Sequence, residues 1–592
     1  MTDLSVRSEP SSPSATPFPQ PGMKGGGSGE GSLDFRALLS SLCPDPAAEP
    51  EEWPCADPQW EGWFKKDWHG WPEWVQGFRP HQLEAVVEII DAYARGADVV
   101  MLDAPTGAGK TLIGEMVRRL TTSQALYVCH SIGLQAQFVH DFPYAAVLKG
   151  RTNYPTQTAV FPEVTCGDCT NTKRPEAADA SCVWCPEPAM CSYVEARTRA
   201  LEAGIAVTNT AYMLAEANNV GRLLGGRGLV IADEADTLEQ ILMGTAEFRV
   251  GAGMLRKLGI EAPKKGSHSP TIAAWLTGVL EPKLKIHAAK LARKTDVDSV
   301  RERIRLRRLA GRVREVAAEI VGDGWVRDYD KTDSLILKPV QVDTIGQEWV
   351  WKHSARWLLM SATLVSTDEM VESLGMQGMK VETVTVPMTF PVENRVIHAL
   401  PIAAMTAANK EEAWPAMAEA VRKVQDLHPD DKVLVHTVSY ELARYLCREA
   451  RGQGRRFYTY SESRYRDHEV RAFKDDEGPA TMFAPSLDRG FDFKGDEARV
   501  VIVAKIPYPY LGDPQVSTRL HTKGGQQWYT VNTIRSLVQM TGRGVRSETD
   551  WCRTFILDST FLTKLWKKDK RLLPKWWREA VDTRTTRRDL GL

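Results

Sequence analysis

The chain has 592 residues, 43% hydrophobic and 26% charged, with 75 Lys and Arg against 76 Asp and Glu. That length calls for several domains with sizeable cores, and a formal net charge of −1 excludes a generally basic nucleic-acid binder, so any such surface must come from local basic segments. Ten cysteines are too few for a disulfide scaffold, and neither an 18-residue apolar run nor a positively charged leader is present, so a cytoplasmic protein in a reducing compartment, without a membrane partner, is expected.

Residues 1–32 are rich in Ser, Pro and Gly, a composition that cannot bury enough apolar area to offset its ordering entropy, and disorder is expected. Residues 33–77 carry Trp53, Trp60, Trp63, Trp68, Trp71 and Trp74. They are expected to pack as a strap over the first domain, with base stacking as the alternative. From Phe78 a first domain alternates strands with helices: Val99–Leu102, a helix at Leu112–Leu120, then strands at Ala125–Cys129, Gly228–Ala232 and Arg356–Met360. Strands alternating with helices predict a parallel sheet covered on both faces, an α/β architecture. Two insertions interrupt it, a cysteine-rich one at 150–195 and a mostly helical one at 240–345. The first domain is thus assembled from 78–149, 196–239 and 346–380. A second domain of the same type occupies 381–592, with strands at Val433–Val435, Ala480–Phe483, Val500–Ala504 and Thr554–Leu557.

The loop Ala104-Pro105-Thr106-Gly107-Ala108-Gly109-Lys110-Thr111, between a strand and a helix, has the chemistry of a phosphate cradle. Gly107 and Gly109 let backbone N–H groups face phosphate oxygens, Lys110 reaches the terminal phosphates, and the Thr111 hydroxyl suits Mg²⁺. Ala104 stands where the usual pattern has its first glycine. Asp233 and Glu234 end the strand Leu229–Ala232, where an open sheet presents charges to its nucleotide crevice. Asp233 would hold the Mg²⁺ through water, and Glu234 would polarise the attacking water. Arg543 and Arg546, three residues apart and predicted to share a helix face, would stabilise the charge on a transferring phosphoryl group. Gln539 precedes them and belongs to the same catalytic group. Because they lie in the second domain, ATP hydrolysis would depend on domain closure.

Cys166, Cys169, Cys182, Cys185 and Cys191 fall within one short polar window. Two Cys-x-x-Cys pairs satisfy a structural zinc site by spacing, and four thiolates equally suit a 4Fe–4S cluster. Four of the five would ligate. Two further segments are locally basic: Arg301, Arg303, Arg305, Arg307, Arg308, Arg312 and Arg314 in the second insertion, and Lys567, Lys568, Lys570, Arg571 and Lys575 among Trp566, Trp576 and Trp577 near the end. Positive charge tracks phosphates and aromatic faces accept bases without reading sequence, whereas solvated helix faces explain the same runs plainly.

With the cysteine window between the phosphate loop and Asp233-Glu234-Ala235-Asp236, the chain resembles the XPD/DinG family of iron–sulfur superfamily 2 DNA helicases, the DinG branch most closely. Matching segments are Lys149–Tyr154, Arg79-Pro80-His81-Gln82, Ser361-Ala362-Thr363, Phe390–Arg395, Arg489–Phe493, Ile506–Pro509 and Gln539–Arg546. The resemblance implies two RecA-like domains with an iron–sulfur domain and a helical arch inserted in the first. It implies 5′-to-3′ translocation on single-stranded DNA with strand separation. The expected substrates are forked or tailed duplexes, the expected state a monomer, and the setting repair, replication or recombination. The resemblance places Gln82 against adenine, Arg489 and Asp492 near the ATP interface, and Cys185 and Cys191 as the last two cluster ligands. Asp236 departs from the family, which more often has His there. The rival readings are a zinc-stabilised motor acting on RNA or remodelling nucleic-acid complexes, and a nucleotide-gated clamp with little turnover.

Overall fold

Short apolar runs closed by turn residues become the strands of two parallel sheets. The computed structural model describes residues 72, 74, 75, 77–122, 124–156, 164–168, 191–217, 226–294, 296–322, 324–451, 454–487, 491, 493–542, 544, 545 and 547–591. The 1–32 segment and Trp53, Trp60, Trp63, Trp68 and Trp71 lie outside the described residues. Trp74 does pack on the first lobe: its indole N–H donates to the Asp141 carbonyl at 2.8 Å and its ring meets Phe142 edge-on.

The first sheet contains β1 (Val99–Asp103), β2 (Ala125–Cys129), β3 (Ala146–Val147), β4 (Ile205–Asn209) and β5 (Leu229–Asp233). The insertion that follows holds β6 (Phe248–Val250), β7 (Trp325–Tyr329) and β8 (Leu335–Pro339), after which β9 (Trp357–Ser361) and β10 (Val381–Thr385) return to the first sheet. Among the described residues its order is β10-β1-β9-β5-β2-β4-β3, every pair parallel. The second sheet is β13 (Arg456–Thr459), β14 (Ala480–Ala484), β12 (Val433–His436), β15 (Val500–Val503), β16 (Arg553–Asp558), β11 (Ile397–Ala403) and β17 (Val581–Asp582), again all parallel. Near-continuous Val, Ile and Leu fill the central strands because helices cover both faces of such sheets.

Two expectations change. The boundary at 380/381 falls inside the first lobe, because the β-branched run at β10 pairs with β1 in register Val99↔Val381. The 240–345 insertion is not simply helical. It carries an antiparallel sheet β6-β8-β7, whose hairpin turns at Asp330, the carboxylate accepting from the Thr332 and Ser334 N–H groups. This insertion has its own core, built from Phe248, Leu276, Leu306, Val313, Leu335 and Leu337.

Six helices position the site and its surroundings: α1 (Gln82–Ala94), α2 (Lys110–Thr121), α3 (Val297–Glu319), α4 (Thr367–Ser373), α5 (Pro514–Leu520) and α6 (Gly525–Thr541). No helix among the described residues is long and apolar enough to cross a membrane.

Candidate active site

Register brings the chemistry to one edge. Asp103 pairs with Ser361 and Asp233 with Met360, so β1, β9 and β5 end side by side, at the carboxyl edge where open α/β sheets take ligands. From β1 the chain passes through buried Ala104, whose N–H donates to the Ser361 carbonyl at 3.0 Å, and wraps into the glycine loop. Gly107 (φ 89°) and Gly109 (φ 76°) are left-handed. A Cβ at Gly107 would stand 2.5 Å from the Phe390 ring, and one at Gly109 2.1 Å from the Gln82 amide. Both glycines are therefore required by backbone sense and by close approach. Lys110 opens α2 and donates to the Ala104 carbonyl at 3.3 Å, back across the loop.

Gln82 is buried, and both ends of its amide serve the loop: Nε2 donates to the Ala108 and Gly109 carbonyls, and Oε1 accepts from the Arg79 N–H at 2.7 Å. The side chain placed against adenine by resemblance here braces the phosphate cradle. Arg79, which donates to the Gly107 carbonyl, instead lines a cavity of about 350 Å³ with Thr106, Gly107, Met388, Phe390 and Glu548. That cavity is bounded by both lobes and falls in the range of small-ligand sites.

The acidic turn is fixed at each residue. Asp233 accepts from the Tyr127 hydroxyl at 3.0 Å and from the Glu234 N–H at 3.0 Å. Burial, then the Asp233 charge, pushes the Tyr127 phenol well up, so it stays a donor. Glu234 adopts a left-handed backbone, φ 51°, a conformation that costs a side-chain-bearing residue about 1–2 kcal/mol. Asp236 is buried and accepts from the Ser361 hydroxyl at 2.7 Å and the Thr363 hydroxyl at 2.8 Å. Thr363 in turn accepts from the Gln539 amide of the second lobe at 2.8 Å. The Asp that departs from the family's His thus anchors a hydrogen-bond chain crossing between lobes. Sequence reading missed this, although the Asp-Glu-Ala-Asp spacing and the Ser-Ala-Thr triplet were its visible halves.

Gln539 sits on α6, which ends at Thr541 with Gly542 as its cap, so the helix predicted to carry the two motif arginines stops short of them. Arg543 and Arg546, and Arg489 and Asp492, lie outside the described residues.

Of the five cysteines, Cys166 and Cys191 are described, and their sulfurs approach to 3.9 Å. Two thiolates about 2.3 Å from one metal in a tetrahedron stand roughly 3.8 Å apart, so this pair suits two ligands on a single metal ion. Cys169, Cys182 and Cys185 lie outside the described residues. Among the basic segments, Arg301 is engaged by Asp168, Arg303 by the Leu291 and Ala292 carbonyls, Arg312 by the Thr245 and Ala246 carbonyls, and Arg314 by Glu281. Near the end of the chain, Trp577 is a core residue and Trp566 packs on Phe561, so these rings hold the fold.

A phosphate loop, an acidic turn at a parallel-sheet edge and a second parallel-sheet lobe docked against both define a two-lobed P-loop protein of the superfamily 2 helicase class. Two family profiles match: "Type III restriction enzyme, res subunit" over residues 76–242 and "Helicase C-terminal domain" over 421–580. A solved structure titled "XPD_Helicase" superposes with TM-score 0.61 at 15% identity, over 84% of this chain and 98% of that one, and Xpd4 of S. tokodaii with TM-score 0.54 at 13%, over 86% of this chain and 100% of that one. A Fanconi anemia group J protein homolog from Gallus gallus is 32% identical over 122 residues, 18% of this chain and 10% of the relative. A regulator of telomere elongation helicase 1 homolog from Caenorhabditis elegans is 25% identical over 114 residues, 17% of this chain and 11% of the relative. The matches thus span about a tenth of these curated relatives' length. Both profile-matched regions lie in the two parallel-sheet lobes, and the fold is that of the XPD structures.

Proposed function

We propose that this protein hydrolyses ATP to move along single-stranded DNA and to separate the strands of forked or tailed duplexes. The observation that carries the reading is the continuous chain Asp236–Thr363–Gln539, which links the hydrolytic turn of one lobe to the helix of the other. Gly107 and Gly109 present backbone N–H groups to phosphates, Lys110 neutralises the terminal phosphates and Thr111 supplies a hydroxyl for Mg²⁺. Asp233, already held by Tyr127, would hold Mg²⁺ through water, and Glu234 would polarise the attacking water. Arg543 and Arg546 stabilise the transferring phosphoryl group. Asp236 lies two residues beyond Glu234 and is hydrogen-bonded to Thr363, which holds Gln539, so a shift of the acidic turn on hydrolysis would be felt by the second lobe. Movement from 5′ to 3′ follows the family resemblance, a cytoplasmic location follows the cysteine usage and the lack of an apolar span, and a monomer is the expected state.

Four of Cys166, Cys169, Cys182, Cys185 and Cys191 would hold a 4Fe–4S cluster, which supplies a rigid cross-link between the cysteine segment and the first lobe. Zinc is the alternative, and the separation of Cys166 and Cys191, that of two thiolates on a single metal, favours it over a cube with one thiolate per iron; iron and zinc content of anaerobically purified protein decides between them.

The test is ATP turnover with and without single-stranded DNA or RNA, beside unwinding of 5′- and 3′-tailed duplexes. DNA-stimulated turnover, loss of at least about 100-fold in Glu234→Gln and unwinding from the 5′ tail are expected. Unchanged turnover in Glu234→Gln removes the catalytic assignment, and stimulation by RNA alone replaces the substrate.

A further inference from the structure

The loop after β15 reads Ile506-Pro507-Tyr508-Pro509-Tyr510-Leu511-Gly512-Asp513, and the function above leaves it unused. It is braced along its whole length. The Ile506 N–H donates to Asp558 at 2.9 Å, Tyr508 stacks on Tyr529, and the Tyr529 hydroxyl donates to the Pro509 carbonyl at 3.1 Å. The Asp513 N–H closes a turn on the Tyr510 carbonyl at 3.0 Å, and the Asp513 carboxylate takes Lys338 of the inserted sheet at 3.2 Å. Gln515 adds a 2.7 Å bond to the Val340 carbonyl of that insertion.

From this rigid base Tyr510 stands 78% exposed, the highest value for a large hydrophobic side chain among the described residues, with Leu511 beside it at 49%. The phenol end of Tyr510 lies against Gly512, where a Cβ would come within 2.2 Å of the ring, so the glycine leaves the ring its place. A loop this tightly tied gains nothing internally from displaying an aromatic to water; the display fits an external flat apolar partner.

The charge beside it says which partner. All strands of the second sheet are parallel, so the loops after β15 and β16 leave one edge. The segment after β16 brings Lys564 to 5.7 Å from the Tyr508 ring, and Lys567 and Lys568 follow on the same turn of helix, exposed and without a carboxylate partner among the described residues. Asp569, next along, is the one acid in this short run. The lysines thus lie by the base of the loop, at the Tyr508 ring two residues before the exposed Tyr510. An exposed ring on a loop rooted beside lysines is a combination that holds single strands, bases on the aromatic face and phosphates on the cations.

We propose that Tyr510 is a base-stacking contact for single-stranded DNA at the seam between the second lobe and the inserted sheet, with Lys564, Lys567 and Lys568 following the adjacent phosphates. This rests on the proposed function. The experiment is binding of a fluorescein-labelled oligo-dT to the full chain, measured by anisotropy across a salt series, for wild type, Tyr510→Ala, Tyr510→Phe and Lys564→Gln/Lys567→Gln. Tyr510→Ala is expected to weaken binding about 5- to 100-fold. Tyr510→Phe, which keeps the ring, should bind within about twofold of wild type. The double lysine variant should flatten the salt dependence by up to about two units of slope. Thermal midpoints matching wild type exclude misfolding, as the exposure of these side chains predicts. Wild-type binding with undiminished binding by Tyr510→Ala overturns this inference alone and assigns the loop to a protein partner. No binding by wild type overturns the proposed function and this inference together.

Discussion

Asp103 ends β1 one residue before the phosphate loop, with one carboxylate oxygen buried and unpartnered by hydrogen bonds among the described residues. Burial raises its pKa to about 6, Asp236 pushes the same way, and Lys110 opposes both. A carboxyl whose folded pKa exceeds its unfolded value near 4 binds its proton more tightly when folded, so its ionisation destabilises the fold as pH rises from about 4 to about 6, and the penalty is complete above that window. Asp103→Asn is expected to be more stable than wild type at pH 7, on the order of 1–2 kcal/mol, and the difference should vanish near pH 4. Denaturant midpoints of both proteins from pH 4 to 7 measure it, and a pH-independent difference would refute the assignment. At this scale the sequence displays what is contiguous. Lys110, Thr111, Asp233 and Glu234 were readable because loop, strand and carboxylate follow one another along the chain. The duties of Asp236 and Gln82 were not, because their partners, Ser361 and Thr363 for one and the Ala108 and Gly109 carbonyls for the other, become neighbours only after folding.

Helix α3 shows why a basic run is an ambiguous signal. Arg301 forms a two-pronged pair with Asp168, at 2.7 and 3.0 Å, and Val300 packs on Val164 beside it. The first turn of α3 thereby clamps the segment that carries Cys166. Burial alone would raise the Asp168 pKa, but Arg301 and the Thr165 N–H outweigh it and hold the carboxyl below its ordinary value. A lowered carboxylate pKa stabilises the fold above the unfolded value near 4, and the contribution disappears as pH falls through the folded pKa. Asp168→Asn is therefore expected to loosen this contact by about 1–2 kcal/mol at pH 7, reduced from a fully buried pair because the Arg301 side chain is part exposed. Hydrogen exchange of residues 164–168 and of the first turns of α3 should accelerate about 5- to 30-fold, while β1 and β5 keep their protection. Equal exchange in both proteins would show that the clamp is not coupled to Asp168. The central strands were legible as apolar runs. β3 and β17 escaped notice because each has two residues at a sheet edge, and the inserted hairpin because its charged positions mask the period of two.

Between the two lobes, α6 acts as the strut. Trp528, Arg535 and Gln539 lie seven and four residues apart, on one helical face. Trp528 donates to Glu239 at 3.0 Å, Arg535 pairs with Glu369 at 2.8 Å, and Gln539 reaches Thr363. Arg519 of α5 also pairs with Glu239, whose pKa burial raises while Arg519 opposes the rise. All three first-lobe partners come from segments that follow the acidic turn or β9, so the strut rests on the elements that feel the nucleotide. Arg535 and Glu369 are 3% and 4% exposed. Desolvation of two such charges nearly cancels their attraction, so the pair adds little net stability, yet removing one partner strands the other and costs about 3–5 kcal/mol. Arg535→Met should therefore destabilise the protein by that amount and split its calorimetric transition into two, as the lobes lose their common support. Arg535→Met with Glu369→Met should recover most of the loss and melt as one unit, because the apolar pair fills the same space without a buried charge. Differential scanning calorimetry of the three proteins separates this from simple loss of a contact: equal melting of the two variants would show that Glu369 finds water or another cation when Arg535 is gone, and α6 would then be a bystander to lobe coupling rather than its carrier.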